Sequence, residues 1–157
     1  MFMQNIILTE SPGMAEVRHQ EVLEVSSDAL YSVIIDYEKY PLFVEGCHQV
    51  KIESRTAHEA RVVYYVNLLS YSLIYTLDHQ EEPEKHRVSW SLIDSNFLKK
   101  NEGFWELKKL SQSQSEVVCF MGVEFKIPVP GFILKKLVKK NVPQMVQSFC
   151  NRSQIQA

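Results

Sequence analysis

Hydrophobic and polar positions alternate with a period of two through most of residues 47–127, and from residue 130 onward they recur every three to four residues. The first pattern is that of strands with one buried face, the second that of an amphipathic helix. The alternation is cleanest near its end. There Val117, Cys119, Met121, Val123, Phe125 and Ile127 share one face, opposite Glu116, Glu124 and Lys126 with Val118 and Phe120. Earlier, Val88, Trp90 and Leu92 oppose Arg87, Ser89 and Ser91. The pattern predicts strands over 14–25, 48–54, 59–69, 71–80, 87–93, 103–110 and 116–127, joined by polar turns such as 81–84 and 111–115. Connections this short force antiparallel neighbours.

After the first strand, Ser26 and Ser27 offer N-caps, Asp28 suits the first turn, and Leu30, Val33 and Ile34 recur at helical spacing. Tyr40 and Pro41 then open a second short helix, followed by Leu42, Phe43 and Val44 and ended by Gly46. The final helix carries a stripe of Leu134, Val138, Val142, Met145 and Phe149, flanked by Ile133, Leu137 and Val146. Pro143 lies within it and predicts a kink or break over 139–142. The fold class is α+β: a curved antiparallel sheet of six to seven strands wrapped around a long C-terminal helix, with two short helices after strand one. A single helix is a narrow cover for so wide a sheet. Where the two do not meet, an apolar cavity is expected, the usual form of a small-molecule site.

The chain of 157 residues, 45 % hydrophobic, fits one domain over 14–157, with 1–13 a leader expected to lack order and an added edge strand as the alternative. The three cysteines, Cys47, Cys119 and Cys150, are widely spaced and suggest neither disulfides nor a metal site. They read as buried small residues in a reducing compartment. Without a basic start, a signal-like apolar stretch or a membrane-spanning run, the protein is expected to be cytoplasmic. The net charge of -2 divides into -8 over 1–98 and +6 over 99–157. Much of the positive part sits in Lys135, Lys136, Lys139 and Lys140, two i,i+4 rows on the final helix. Such a row is either a solvated face or a site for an anionic partner, whether a membrane surface, at about 1 kcal/mol per lysine, or RNA phosphates.

Three blocks of sequence carry a family resemblance. One is Asp36, Tyr37, Glu38, Lys39, Tyr40, Pro41, Leu42, Phe43, Val44, Glu45, Gly46 and Cys47; another is Leu92 to Phe97 followed by Gly103, Phe104 and Trp105; the third is the closing helix with Met145, Val146, Phe149 and Arg152. Together they resemble the START-like, polyketide-cyclase-like superfamily with its helix-grip fold, nearest the coenzyme-Q-binding and ribosome-association-toxin branch. Ser95 and Asn96 stand where that branch has Gly and Pro. The resemblance implies a hydrophobic pocket between sheet and final helix for ligands such as isoprenoid quinones, sterols, phospholipids or polyketides. By position, Phe43, Trp90, Leu92, Trp105, Val138, Val142, Met145 and Phe149 are expected to line it.

Catalytic signatures are sparse. There is no nucleophile elbow, zinc-protease motif, P-loop or dinucleotide fingerprint, and no cofactor is called for. Cys47 and His48 are adjacent on a strand and so point to opposite faces. Asp36 and Asp94 read as a helix-end and a turn residue, while Asp94, Tyr64, Tyr71, Tyr75 and His79 would serve as acid–base groups if they point inward. The leading expectation is a carrier for a hydrophobic small molecule, with a polyketide cyclase or aromatase and a ribosome- or RNA-binding module as alternatives.

Overall fold

The computed structural model describes residues 5–11, by their backbone, and 13–68 and 70–156. The strands are β1 (Asn5–Ser11), β2 (Met14–Leu23), β3 (Cys47–Arg55), β4 (Glu59–Leu68), β5 (Tyr71–Glu82), β6 (Arg87–Ser95), β7 (Leu98–Lys109) and β8 (Ser115–Phe125). They form one antiparallel sheet in the order β1-β2-β8-β7-β6-β5-β4-β3. After β2 the chain crosses to the far edge and walks back hairpin by hairpin until β8 pairs with β2, Val17 opposite Met121. The additional strand comes from the leader, whose residues 5–11 pair antiparallel with β2; its residues 1–4 and 12 lie outside the described residues.

The crossing is made by α1 (Ser27–Ile34) and a 3-10 turn (Tyr37–Leu42). Ser26 caps α1, its Oγ accepting from Ala29 N at 3.1 Å, and Asp28 sits in the first turn where the helix dipole favours an anion. The second connector differs from the sequence expectation. It is a short helix of the 3-10 type that begins at Tyr37 and contains Pro41, where the sequence put its start at Tyr40 and Pro41. Its end is closed by Phe43 N and Val44 N, both donating to Tyr40 O. Gly46 follows at φ 86°, a left-handed conformation in which a Cβ would also lie 2.5 Å from Asn67 O.

Over the concave face runs one continuous helical segment: α2 (Gly131–Lys136), a π turn (Leu137–Asn141) and α3 (Val142–Gln156). The disturbance expected from Pro143 is present, but as a π turn and not as a break. In a regular α-helix the proline ring would meet the carbonyl four residues back. Here Val142 N–H donates instead to Leu137 O, five residues back, and the wider turn makes room. Leu134, Val138, Val142, Val146 and Phe149 are all buried, at 3 % exposure or less.

The interior divides into two apolar clusters. One joins α1, Tyr37, Trp105, Val146, Phe149 and Cys150; the other joins Ala15, Val17, Leu98, Val123, Phe125, Leu134, Val138 and Val142. Tyr75, Leu92 and Met121 touch both. Among the described residues no helix is long and apolar enough to cross a membrane.

Candidate functional site

Between the two clusters the sheet and the helix part to enclose a cavity of about 580 Å³. Its walls come from the inward faces of β4 to β8, and its roof from the π turn and α3. Period two explains the β5 contribution: Leu73, Tyr75, Leu77 and His79 alternate inward and all line the void. On β7, Asn101 and Trp105 do the same around Gly103. A Cβ on Gly103 would lie 2.0 Å from Phe120 O and 2.7 Å from the Trp90 ring, so the glycine is what admits that ring at this point of the wall.

Of the eight residues expected as lining, Trp90, Trp105, Val142, Met145 and Phe149 face the cavity, and Phe43, Leu92 and Val138 do not. The Phe43 ring stands behind Phe149, edge-on with centroids 5.1 Å apart, because the 3-10 turn sets it there. Leu92 packs between the clusters, and Val138 is fully buried in the second one. Asp94 is exposed, while Tyr64, Tyr75 and His79 line the cavity and Tyr71 does not. Register explains Asp94: Thr76 pairs with Asp94 but Leu77 with Leu92, so Ile93 is an extra residue on β6 and reverses the facing beyond it. Ser95 turns inward in its place. Its Oγ accepts from Phe97 N and Leu98 N, and the Asn96 side chain ties the same turn to β5 through Ile74 N and Ser72 O. These bonds account for Ser95 and Asn96 at this turn.

Polar groups gather at the α1 end of the cavity and bond among themselves. Tyr64 Oη lies 3.0 Å from His79 Nε2, and Tyr37 Oη donates to Glu81 Oε2 at 2.7 Å. Arg55 reaches in to Glu81 Oε1 at 3.0 Å, Tyr40 donates to Ile34 O, and Trp90 Nε1 donates to Asn101 Oδ1 at 3.0 Å. The Trp90 indole therefore finds its partner within the protein. Burial sets the protonation states. It pushes His79 down to about 4 and holds it neutral, raises the phenols of Tyr37, Tyr40, Tyr64 and Tyr75 well above 10, and lifts the Cys47 thiol to about 11. Cys47, on the cavity wall, is thus a poor nucleophile.

The opposite end opens between the π turn, the loop at Gly46 and the β4–β5 hairpin, where Glu45, Asn67, Lys136, Asn141, Gln144 and Ser148 line the rim. Lys135, Lys136, Lys139 and Lys140 are all exposed, so the basic row runs along the outer side of the mouth. Among the described residues no group of three or more His, Cys, Asp or Glu is arranged to hold a metal ion.

Comparison with known proteins places this arrangement. The chain is 24 % identical over 140 residues to the ribosome association toxin RatA of Escherichia coli, covering 89 % of this chain and 87 % of that one. The persistence and stress-resistance toxin PasT of Escherichia coli matches to the same extent. Among solved structures, the Zhui aromatase/cyclase from a Streptomyces species superposes with a TM-score of 0.80 at 13 % identity, covering 90 % of this chain and 94 % of that one. A START superfamily protein from Mycobacterium smegmatis gives 0.79 at 18 %, covering 90 % and 99 %. The family model described as polyketide cyclase / dehydrase and lipid transport matches residues 23–150, so the chain belongs to that START-like family and carries its fold.

Proposed function

We propose that the protein binds a hydrophobic small molecule, an isoprenoid quinone or a lipid-like compound, in the cavity under its C-terminal helix, and acts as a carrier rather than a catalyst. The observation that carries this reading is the enclosed volume of about 580 Å³, walled largely by Leu, Val, Met, Phe, Tyr and Trp side chains. That size and lining suit a ligand of several rings or a short lipid. Cyclase chemistry would require groups that exchange protons near neutrality. Tyr64, Tyr75 and His79 do face the cavity, yet phenols held above 10 and an imidazole held near 4 are better suited to holding a guest than to moving its protons. Protein purified from the cells that make it, or mixed with a quinone and lipid panel, should keep a bound mass in native mass spectrometry. A protein that stays empty under both conditions would remove the proposal.

A second reading is favoured by the relatives: association with the ribosome, through the row Lys135, Lys136, Lys139 and Lys140. All four are exposed and lie on one helical segment, as phosphate contacts require. Co-sedimentation with ribosomes should then be lost when all four are changed to Glu, and should weaken steeply as salt is raised. A four-lysine variant that sediments like the parent would end this reading, while sedimentation with anionic vesicles instead would assign the row to a membrane. Each of these readings suits a cytoplasmic protein with reduced cysteines.

A further inference from the structure

One residue breaks the rule that the rest of the C-terminal helix follows. Asn141 lies four positions after Leu137, three after Val138 and four before Met145, so it occupies a place in the apolar stripe where an aliphatic residue is expected. Its Oδ1 is buried and has no hydrogen-bond partner among the described residues. Most of the other polar side chains deeper in the cavity are matched, Tyr64 with His79, Tyr37 with Glu81 and Trp90 with Asn101, the Tyr75 hydroxyl being the exception. Asn is also a poor helix former, so the position gains nothing from propensity. A buried acceptor left without a donor weakens the empty protein, and such a cost persists where it serves binding.

The location bears on the same point. Asn141 is the last residue of the π turn and lines the cavity near its mouth. Pro143 accounts for the π turn itself, and the turn in this case sets Asn141 on the cavity wall, in keeping with the frequency of such turns at functional sites. Reversing the carboxamide would bury an NH2 with two unmet donors, so the oxygen-inward orientation is the less costly one. The oxygen is shielded from the void in the empty protein, and because the χ2 torsion of Asn is broad, a turn about it is the movement that would present the oxygen to a guest.

We propose that Asn141 is the polar anchor of the cavity, and that the ligand is an uncharged amphiphile whose hydroxyl group donates to Asn141 Oδ1 while its apolar body fills the space between the two clusters. The inference rests on the ligand-holding reading above and names the head group that reading leaves open. A carboxylate head is disfavoured at this acceptor, since two anionic or partly negative oxygens would face each other. The rim does offer a cation in Lys136, which is the competing anchor.

The test compares three probes that share one tail: 4-hexylphenol, hexylbenzene and 4-hexylbenzoate. Calorimetric titration of the full chain should give the phenol an affinity about ten-fold above hexylbenzene, the worth of one buried hydrogen bond. Asn141→Leu should abolish that preference by weakening the phenol alone. It should also raise the melting temperature of the ligand-free protein, because it removes the unmet acceptor. Asn141→Ala, which adds no bulk at the π turn, should lose the same preference. A phenol preference unchanged in both variants would overturn the anchor and leave the pocket intact. Tightest binding of the benzoate, abolished by Lys136→Gln, would also overturn it and give the role to the lysine. If none of the three probes binds, the pocket reading fails and the anchor falls with it.

Discussion

The two ends of the C-terminal helix rest on the same sheet yet meet it in different ways. Toward its end, Phe149 sits among the rings of Tyr40, Phe43 and Trp105 with centroids 5.1, 5.1 and 5.0 Å away, and Val146 and Cys150 close the gaps beside it. The α3 terminus is fastened further by Gln154 Nε2 donating to Glu24 O at 2.9 Å. Around the π turn, by contrast, the roof stands over empty volume, a buried carbonyl is unmet and the outer side is a row of lysines. One end is tightly packed, although beneath it the fully buried His19, bonded to Glu21 through Nε2 at 3.1 Å, leaves its Nδ1 without a partner. The other stands over the void, which leaves it fewer packed neighbours to hold it in place.

Acid should separate the two ends most strongly. His79 belongs to the tightly packed end and is held near 4 by burial, against about 6.5 in the unfolded chain. Between those values the unfolded state binds the additional proton, so stability is complete above pH 6.5, declines as the pH falls and is fully lost from this source below pH 4. The loss is on the order of 3 kcal/mol. Denaturant titrations at a series of pH values should show this slope in the parent and a flattened one in His79→Gln. Equal slopes would mean that the imidazole is wetter than its packing against Tyr37, at 4.4 Å between ring centroids, implies.

A smaller effect sharpens the contrast with identical chemistry at both ends. Val146 and Val142 are equally buried, at 0 % and 2 % exposure, but only Val142 borders the cavity. Val146→Ala opens a new void and should cost roughly 2 to 3 kcal/mol, whereas Val142→Ala enlarges an existing one and should cost about 1 kcal/mol less. Similar losses at the two sites would show that the cavity end packs as tightly as the other.

Much of this division was legible in the residues. The order of strands followed by a closing helix gave the fold class, the family resemblance put Trp105 on the cavity wall, and Tyr75 and His79 were candidates on condition that they point inward, as the period of β5 makes them do. What escaped were places where one residue shifts the count. The extra residue at Ile93 reverses β6 so that Asp94 points out and Ser95 in, and a fixed period of two has no term for it. The short helix before Gly46 is of the 3-10 type and starts at Tyr37, and Phe43 beyond its end is off the wall. Pro143 announced a disturbance, but a missing donor in sequence does not say whether the helix breaks or widens. Asn141 was passed over because a polar residue inside an apolar stripe is conspicuous only once its lack of a partner is known.

That single widened turn also fixes the rotational setting of everything before it. Each residue of an α-helix advances the side-chain direction by about 100°, so the surplus residue in Leu137–Asn141 gives α2 an angular phase of its own, with Leu134 inward and Phe132, Lys135 and Lys136 outward, while α3 keeps the phase its core demands. Excising one residue there would straighten the rod, bring the Pro143 ring against a carbonyl, and swing Phe132, Lys135 and Lys136 a quarter turn or more around the axis. The direction in which this protein presents its positive charge is thus geared to the same irregularity that shapes the entrance.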